Sequence, residues 1–154
     1  MRKKEREVTG IGEIESIISE SDVCRIAFAN NNTPYLVTMN FGYTGGNEKR
    51  LYFHCANEGR KLEMLKKNSY VCFEMDTDHK LITDSVACEC SMKYSIVVGY
   101  GHISIVEGRG EKIEGFNIIM SHYAPGRKFD YNEKSLEKTT VLRLDILELA
   151  GKRS

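Results

Sequence analysis

Leu51-Tyr-Phe-His-Cys-Ala-Asn-Glu-Gly-Arg-Lys-Leu-Glu-Met-Leu-Lys-Lys67 changes its period once. An apolar and aromatic run over Leu51 to Phe53 gives way to a short helical pattern carried by Leu62 and Leu65, and between them lies a polar loop ending in Gly59, Arg60 and Lys61. A strand that exits into a helix start in this way can present an anion site. Gly59 has no Cβ, so the backbone there can turn tightly and approach a ligand, and the N–H groups that open a helix have no internal acceptor. Arg60 adds a planar fork matched to phosphate oxygens, and Lys61 adds a compact charge. The alternative is an ordinary strand-to-helix turn with two solvated cations. Gly-Arg-Lys is too short to be a motif by itself, and it differs from the nucleotide triphosphatase loop, in which two glycines bracket four residues ahead of Lys-Ser/Thr.

On the N-terminal side, Tyr35 to Tyr43 reads as one strand with Leu36, Thr38 and Asn40 on a shared face. Thr38 and Asn40 either face solvent or offer hydrogen bonds to a polar ring system. Thr44-Gly-Gly-Asn-Glu-Lys49 then forms the hairpin turn into Leu51 to His54. Val23 to Ala29 reads as an earlier strand with Cys24, Ile26 and Phe28 on one face, followed by a turn over Asn30 to Pro34, since Pro34 cannot sit inside a paired strand. Ile11, Ile14, Ile17 and Ile18 recur at helical spacing before it.

On the C-terminal side, a helix from Arg60 to about Lys67 ends at Asn68, and Tyr70 to Met75 is a strand. Asp76 to Ala87 reads as an irregular acidic loop. Ser91 to Glu107 is a long strand or bent pair in which Gly99 and Gly101 mark a bulge or barrel corner. A helix over about Gly110 to His122 leads through Pro125-Gly126 to a last strand, Thr140 to Leu149. About six strands in antiparallel hairpin order with few short helices predict a mainly β fold, a small β-barrel.

The chain of 154 residues shows no shift of composition that would divide it, so one domain over residues 1–154 is expected. Lys plus Arg (22) balances Asp plus Glu (22), and no basic-aromatic strip occurs, so a nucleic-acid partner is not expected. No run is long and apolar enough to span a bilayer, and the start lacks the apolar segment of a signal peptide, so no membrane association and a cytoplasmic location are expected. Most of the five cysteines sit in apolar strand-like runs, which suits reduced, packed thiols. Cys88 and Cys90 are the one close pair, without zinc-site spacing, and no metal is expected.

The order of these signals matches a known family. The segments Arg2-Lys-Lys-Glu-Arg-Glu-Val8, Asp22-Val-Cys-Arg-Ile-Ala27, Pro34-Tyr-Leu-Val-Thr-Met-Asn-Phe-Gly-Tyr43, Leu51 to Leu62, Val71-Cys-Phe-Glu-Met-Asp76 and Ser91-Met-Lys-Tyr-Ser-Ile-Val-Val-Gly-Tyr-Gly101 span nearly the whole chain. In their joint order the chain resembles the pyridoxamine 5′-phosphate oxidase-like split-barrel flavoproteins, and within them the nitroimidazole-resistance (Nim-type) branch.

That resemblance implies an FMN-binding split barrel and a homodimer with FMN at the subunit interface. It implies that Gly59, Arg60 and Lys61 hold the phosphate, that Leu36, Val37, Thr38, Met39 and Asn40 run along the flavin ring, and that Phe53, His54 and Cys55 lie beside the ribityl chain. Ser95 falls at a position that is polar in the oxidases and often Arg in Nim-type chains, a departure from the pattern. The lack of Trp, and an ending without the oxidase's Arg- and Pro-containing segment, argue against turnover of pyridoxamine phosphate. The function implied is an FMN-dependent reductase of small electron-poor organics such as 5-nitroimidazoles, the alternative being a flavin-binding or sensor protein without turnover. In a flavoenzyme the cofactor carries the electrons, and His54 is the candidate catalytic residue, since imidazole exchanges protons near neutral pH. Its alternative role is a structural histidine bonded to backbone. Arg60→Ala is expected to weaken FMN binding most, because it removes a bidentate charged contact.

Overall fold

The computed structural model describes residues 4–154. Arg2 and Lys3, in the first matched segment, lie outside them. Eight strands form one sheet: β1 (Glu7–Val8), β2 (Cys24–Asn30), β3 (Thr33–Met39), β4 (Phe41–Thr44), β5 (Arg50–Ala56), β6 (Tyr70–Ile82), β7 (Ser91–Ile105) and β8 (Thr139–Arg153). Four α-helices accompany them: α1 (Ile11–Glu20), α2 (Arg60–Lys67), α3 (Arg109–Tyr123) and α4 (Glu133–Glu137).

The strand order is β3-β2-β6-β7-β8-β5-β4, with β1 added to β8, and every pairing is antiparallel. The two ends of that order decide the shape. β3 and β4 are the outermost strands, yet Asn40 alone separates them in the chain. Successive Cα atoms are about 3.8 Å apart, so the sheet must curl until its two edges meet at Asn40. The result is a barrel with a seam between β3 and β4, the split-barrel form of a mainly β fold.

Inward-facing side chains fill that barrel. Cys24, Ile26 and Phe28 of β2, Leu51 and Phe53 of β5, Val71, Phe73 and Met75 of β6, and Leu142 and Leu144 of β8 are all buried. The apolar face of α1, with Ile14, Ile17 and Ile18 buried, closes one opening of the core. Outside the barrel, α3 packs across β4 and β5, building a second cluster around Tyr52, Val106, Ile119 and Val141. Two glycines permit that approach. A Cβ at Gly42 would lie 2.5 Å from the α3 backbone at Ile118, and one at Gly115 would lie 2.8 Å from Val141 and 2.9 Å from Tyr52.

Several boundaries differ from those read in the sequence. Tyr35 to Tyr43 is two strands broken at Asn40, because barrel closure sends its halves to opposite edges. The turn before it is confined to Asn31 and Asn32, at φ 47° and 59°, the left-handed pair a two-residue hairpin favours. Pro34 does sit in a paired strand, opposite Ala29, but β3 is an edge strand, where a missing N–H is tolerated.

The acidic stretch expected to be a loop from Asp76 to Ala87 is strand as far as Ile82. Pairing with β7 overrides its composition, and the ladder is interrupted between Thr77 and Lys80, where Asp78 has φ 62°. β7 is a single strand, and the irregularity expected near its glycines falls between Tyr100 and Gly101, opposite an extra residue, Leu147, in β8. Helix α4 was not read at all. It is five residues long, too short to show a period, and is capped by the Asn132 side chain accepting from Ser135 N–H.

Among the described residues no helix is long and apolar enough to cross a membrane. The core thiol also carries a pH dependence. Burial, with Glu74 adding to it, pushes the Cys24 thiol far above its ordinary range. Below the ordinary thiol pKa, about 8.5, its contribution to stability is fully present. Above it, the unfolded chain ionises Cys24 and the folded chain does not, so stability falls as pH rises. Between about pH 7.5 and pH 10 Cys24 is expected to account for a loss of roughly 2 kcal/mol in urea unfolding, and Cys24→Ala is expected to lessen the pH dependence by that amount, leaving the part due to the other buried acids, Cys55 among them.

Candidate functional site

The seam opens into a groove of about 520 Å³ lined by Val37, Thr38, Met39 and Asn40, by His54, Cys55 and Ala56, and by Lys61, Lys138 and Thr139. Each group arrives by a different route. The end of β3 and Asn40 form one wall because the barrel parts there. The exit of β5 forms the other, and α2 begins four residues after it. β8 starts beside that exit, with Thr139 opposite Ala56 and Thr140 opposite Cys55. Asn57 fastens the junction: its Nδ2 donates to the Glu137 carbonyl at 2.7 Å, and its Oδ1 accepts from Thr140 Oγ1 at 2.8 Å. Lys138 and Thr139 are thereby held at the groove.

The first turn of α2 has the geometry of an anion cradle. Gly59 sits at φ 127°, a backbone region that side-chain-bearing residues rarely adopt. Leu62 and Glu63 N–H groups donate to the Gly59 carbonyl at 3.0 and 3.3 Å. The N–H groups of Arg60 and Lys61 precede them and have no intrahelical acceptor. Among the described residues no ion pair engages Arg60, Lys61 or Lys138. Their charge is not cancelled by a neighbouring carboxylate.

The groove brings together seven of the residues expected to meet a ligand: Val37, Thr38, Met39, Asn40, His54, Cys55 and Lys61. The others are elsewhere. The Phe53 side chain is fully buried in the barrel core, since alternation along β5 turns it inward. Leu36 is 61% exposed on the outer face of β3. Gly59 shapes the turn without lining the groove, and the Arg60 guanidinium lies 4.9 Å over the Tyr35 ring. Of the Arg60-Lys61 pair, Lys61 is the one that lines the groove, together with Lys138. Ser95 is fully buried in β7, donating to Asp78 Oδ2 at 2.8 Å and accepting from Arg153 Nε at 3.0 Å. It lines a separate cavity with His79, Lys80 and Lys93.

Lys138 and Thr139 were not found from the sequence. Only the pairing of β8 with the exit of β5 gives them a place. His54 is exposed, its ring 6.0 Å from that of Phe116, and among the described residues it makes no side-chain hydrogen bond. Burial raises the Cys55 thiol above its ordinary pKa, with Lys61 opposing the shift, so it remains a neutral packed thiol.

The outer face of the sheet continues from the groove. Leu36 lies beside Ala27, Ala27 beside Cys72, and Cys72 beside Tyr100, with Thr38, Arg25, Glu74 and Val98 forming the next row. Tyr70 and Tyr100 stack at 6.0 Å and are 42% and 39% exposed. On this face Arg25 pairs with Glu74 at 3.0 Å and with Asp76 at 2.5 Å.

A family model described as Pyridoxamine 5′-phosphate oxidase matches residues 11–153. Among solved structures, the chain is similar to a candidate 5-nitroimidazole antibiotic resistance protein from Bacteroides thetaiotaomicron VPI-5482. The identity is 32% over 96% of this chain and 86% of that one, with a TM-score of 0.84. It is similar in fold to the flavocytochrome Anf3 of Azotobacter vinelandii, at 18% identity over 99% and 72% of the two chains with a TM-score of 0.81. The FAD and heme binding protein of Mycobacterium smegmatis is a third such structure, at 15% identity over 97% and 73%, with a TM-score of 0.82. No curated protein matches the chain.

Proposed function

Since the chain belongs to the Pyridoxamine 5′-phosphate oxidase family, we propose that its seam groove holds FMN and that the protein is a reductase of small electron-poor organics such as 5-nitroimidazoles. One observation carries this reading: an uncancelled cation, Lys61, stands in the groove beside the open first turn of α2, and Lys138, just ahead of β8, lines the same groove. A phosphate dianion is the ligand such a corner suits. The residues present fit the rest of the group. Thr38 and Asn40 offer hydrogen-bonding atoms along the β3 wall, and Val37 and Met39 offer apolar surface for a ring.

Bound there, FMN would supply the electron transfer, and the protein's part is to orient, to exclude water and to move protons. His54, free of other bonds at the β5 wall, is the group placed to give or take a proton at a ring nitrogen. Cys55, held neutral by burial, packs rather than reacts. The assembly we infer is a homodimer with FMN at the subunit interface. Its support is the outer face that carries Leu36, Tyr70 and Tyr100 and runs into the groove, which a second copy would cover. The five free cysteines accord with a reducing, cytoplasmic setting.

The test is spectral. Purified protein incubated with an equimolar mixture of FMN and FAD, then freed of unbound flavin by gel filtration, is expected to elute yellow, and mass spectrometry of the released cofactor distinguishes FMN from FAD. Reduced anaerobically and mixed with 2-methyl-5-nitroimidazole, the bound flavin is expected to reoxidise as the nitro group is consumed. Protein that stays colourless overturns the flavin assignment. Flavin that binds but is not reoxidised overturns the reductase and leaves a binding or sensing protein.

A further inference from the structure

A further cavity of about 320 Å³ lies between α3 and the segment 129–136, its apolar lining Phe116, Met120, Phe129, Tyr131 and Leu136. It adjoins the groove, because Thr139 lines both. The Phe116 ring stands between them, its centroid 6.0 Å from the His54 imidazole and 5.6 Å from the Tyr131 ring. An aromatic row thus leads from the groove wall into the cavity. Tyr131 is fixed by its hydroxyl donating to Asn117 Oδ1 at 2.8 Å, and burial raises the pKa of its phenol, which keeps it neutral.

The lining selects a ligand. Aromatic faces favour a flat ring, in offset or tilted contact, and the Met120 thioether adapts to the shape of whatever is bound. Among the described residues that line the cavity, Asp130 is the one formally charged side chain, which disfavours anions. The volume suits a single small ring system and is too small for a dinucleotide. The groove itself is different in character, carrying Lys61 and Lys138.

We propose that this cavity is the organic-substrate subsite: a flat, uncharged aromatic or heteroaromatic ring packs on Phe116 and Tyr131 and reaches the cofactor groove past His54 and Thr139. The role as substrate subsite rests on the flavin reading above; binding of the ring itself does not require flavin.

The experiment uses the full chain, with and without FMN, and 2-methyl-5-nitroimidazole as probe. In protein carrying ¹³C-methyl methionine, the Met120 resonance, assigned through Met120→Leu, is expected to shift on addition of probe in both forms. Phe129→Ala and Tyr131→Ala are expected to weaken probe binding about tenfold while changing FMN affinity less than about twofold. A Met120 signal that stays still up to saturating probe, or probe affinity unchanged in both variants, overturns the proposal. An FMN titration of the same samples separates the two readings. FMN uptake without a Met120 shift defeats the subsite alone, and a Met120 shift without FMN uptake leaves an aromatic-ring site and defeats the flavin assignment together with the substrate role built on it.

Discussion

Lys61→Met is expected to weaken FMN binding about 30-fold, the equivalent of roughly 2 kcal/mol for one charged hydrogen bond to a phosphate. Methionine keeps much of the stem and removes only the ammonium, so the groove wall is preserved. The size of the effect follows from position. Lys61 lines the groove and has no carboxylate partner among the described residues. Arg60, its neighbour, spends its guanidinium on the Tyr35 ring, so Arg60→Ala is expected to cost less than Lys61→Met. Equilibrium titration at low and high salt checks both, because part of the Lys61 contribution should be screened as ionic strength rises. If Arg60→Ala proves the more damaging, the guanidinium leaves Tyr35 when ligand arrives, and the division of labour drawn here is wrong.

The second large effect is on stability. Gly42→Ala places a Cβ 2.5 Å from the carbonyl carbon and oxygen of Ile118 and from the nitrogen of Ile119. These are backbone atoms of a helix, and they cannot swing aside as the end of a side chain can. Overpacking of this kind costs about 1–3 kcal/mol in ordinary cores, and contact with rigid backbone puts this case at the upper end. A fall in Tm of roughly 10 °C is expected for a chain of this size, measured by differential scanning calorimetry. An unchanged Tm would mean that α3 does not lie against β4 as described.

How much of this was legible beforehand depended on whether the deciding signal was local. Helix α2 was read with both of its boundaries, Arg60 and Lys67, because Gly59 ahead of it and Leu62 and Leu65 within it are signals carried by the helix's own residues. The inward face of β2 was equally plain, since alternation through Cys24, Ile26 and Phe28 needs no partner strand to be seen. Asn40 is the opposite case. Tyr35 to Tyr43 contains no breaker at that point, and the strand ends there because distant edges of the sheet must meet.

The same distinction governs the site. Residues contiguous with the α2 loop or with β3, such as Lys61, Thr38 and Asn40, could be named from local signals and line the groove, while Lys138 and Thr139 depend on a pairing between strands more than eighty residues apart in the chain. Phe53 followed from the resemblance, which takes in the whole strand end from Phe53 to Cys55, although strand alternation sends the Phe53 and His54 side chains to opposite faces. Ser95 followed from the resemblance alone, and its hydroxyl is occupied by Asp78 and Arg153.

A crystal structure of the FMN complex tests the central claim most directly. The account predicts the phosphate at the first turn of α2, within hydrogen-bonding distance of the Lys61 ammonium and of the Arg60 or Lys61 N–H, with the ring system along Val37 to Asn40. A flavin found away from the seam between β3 and β4, with Lys61 turned to solvent, would contradict it.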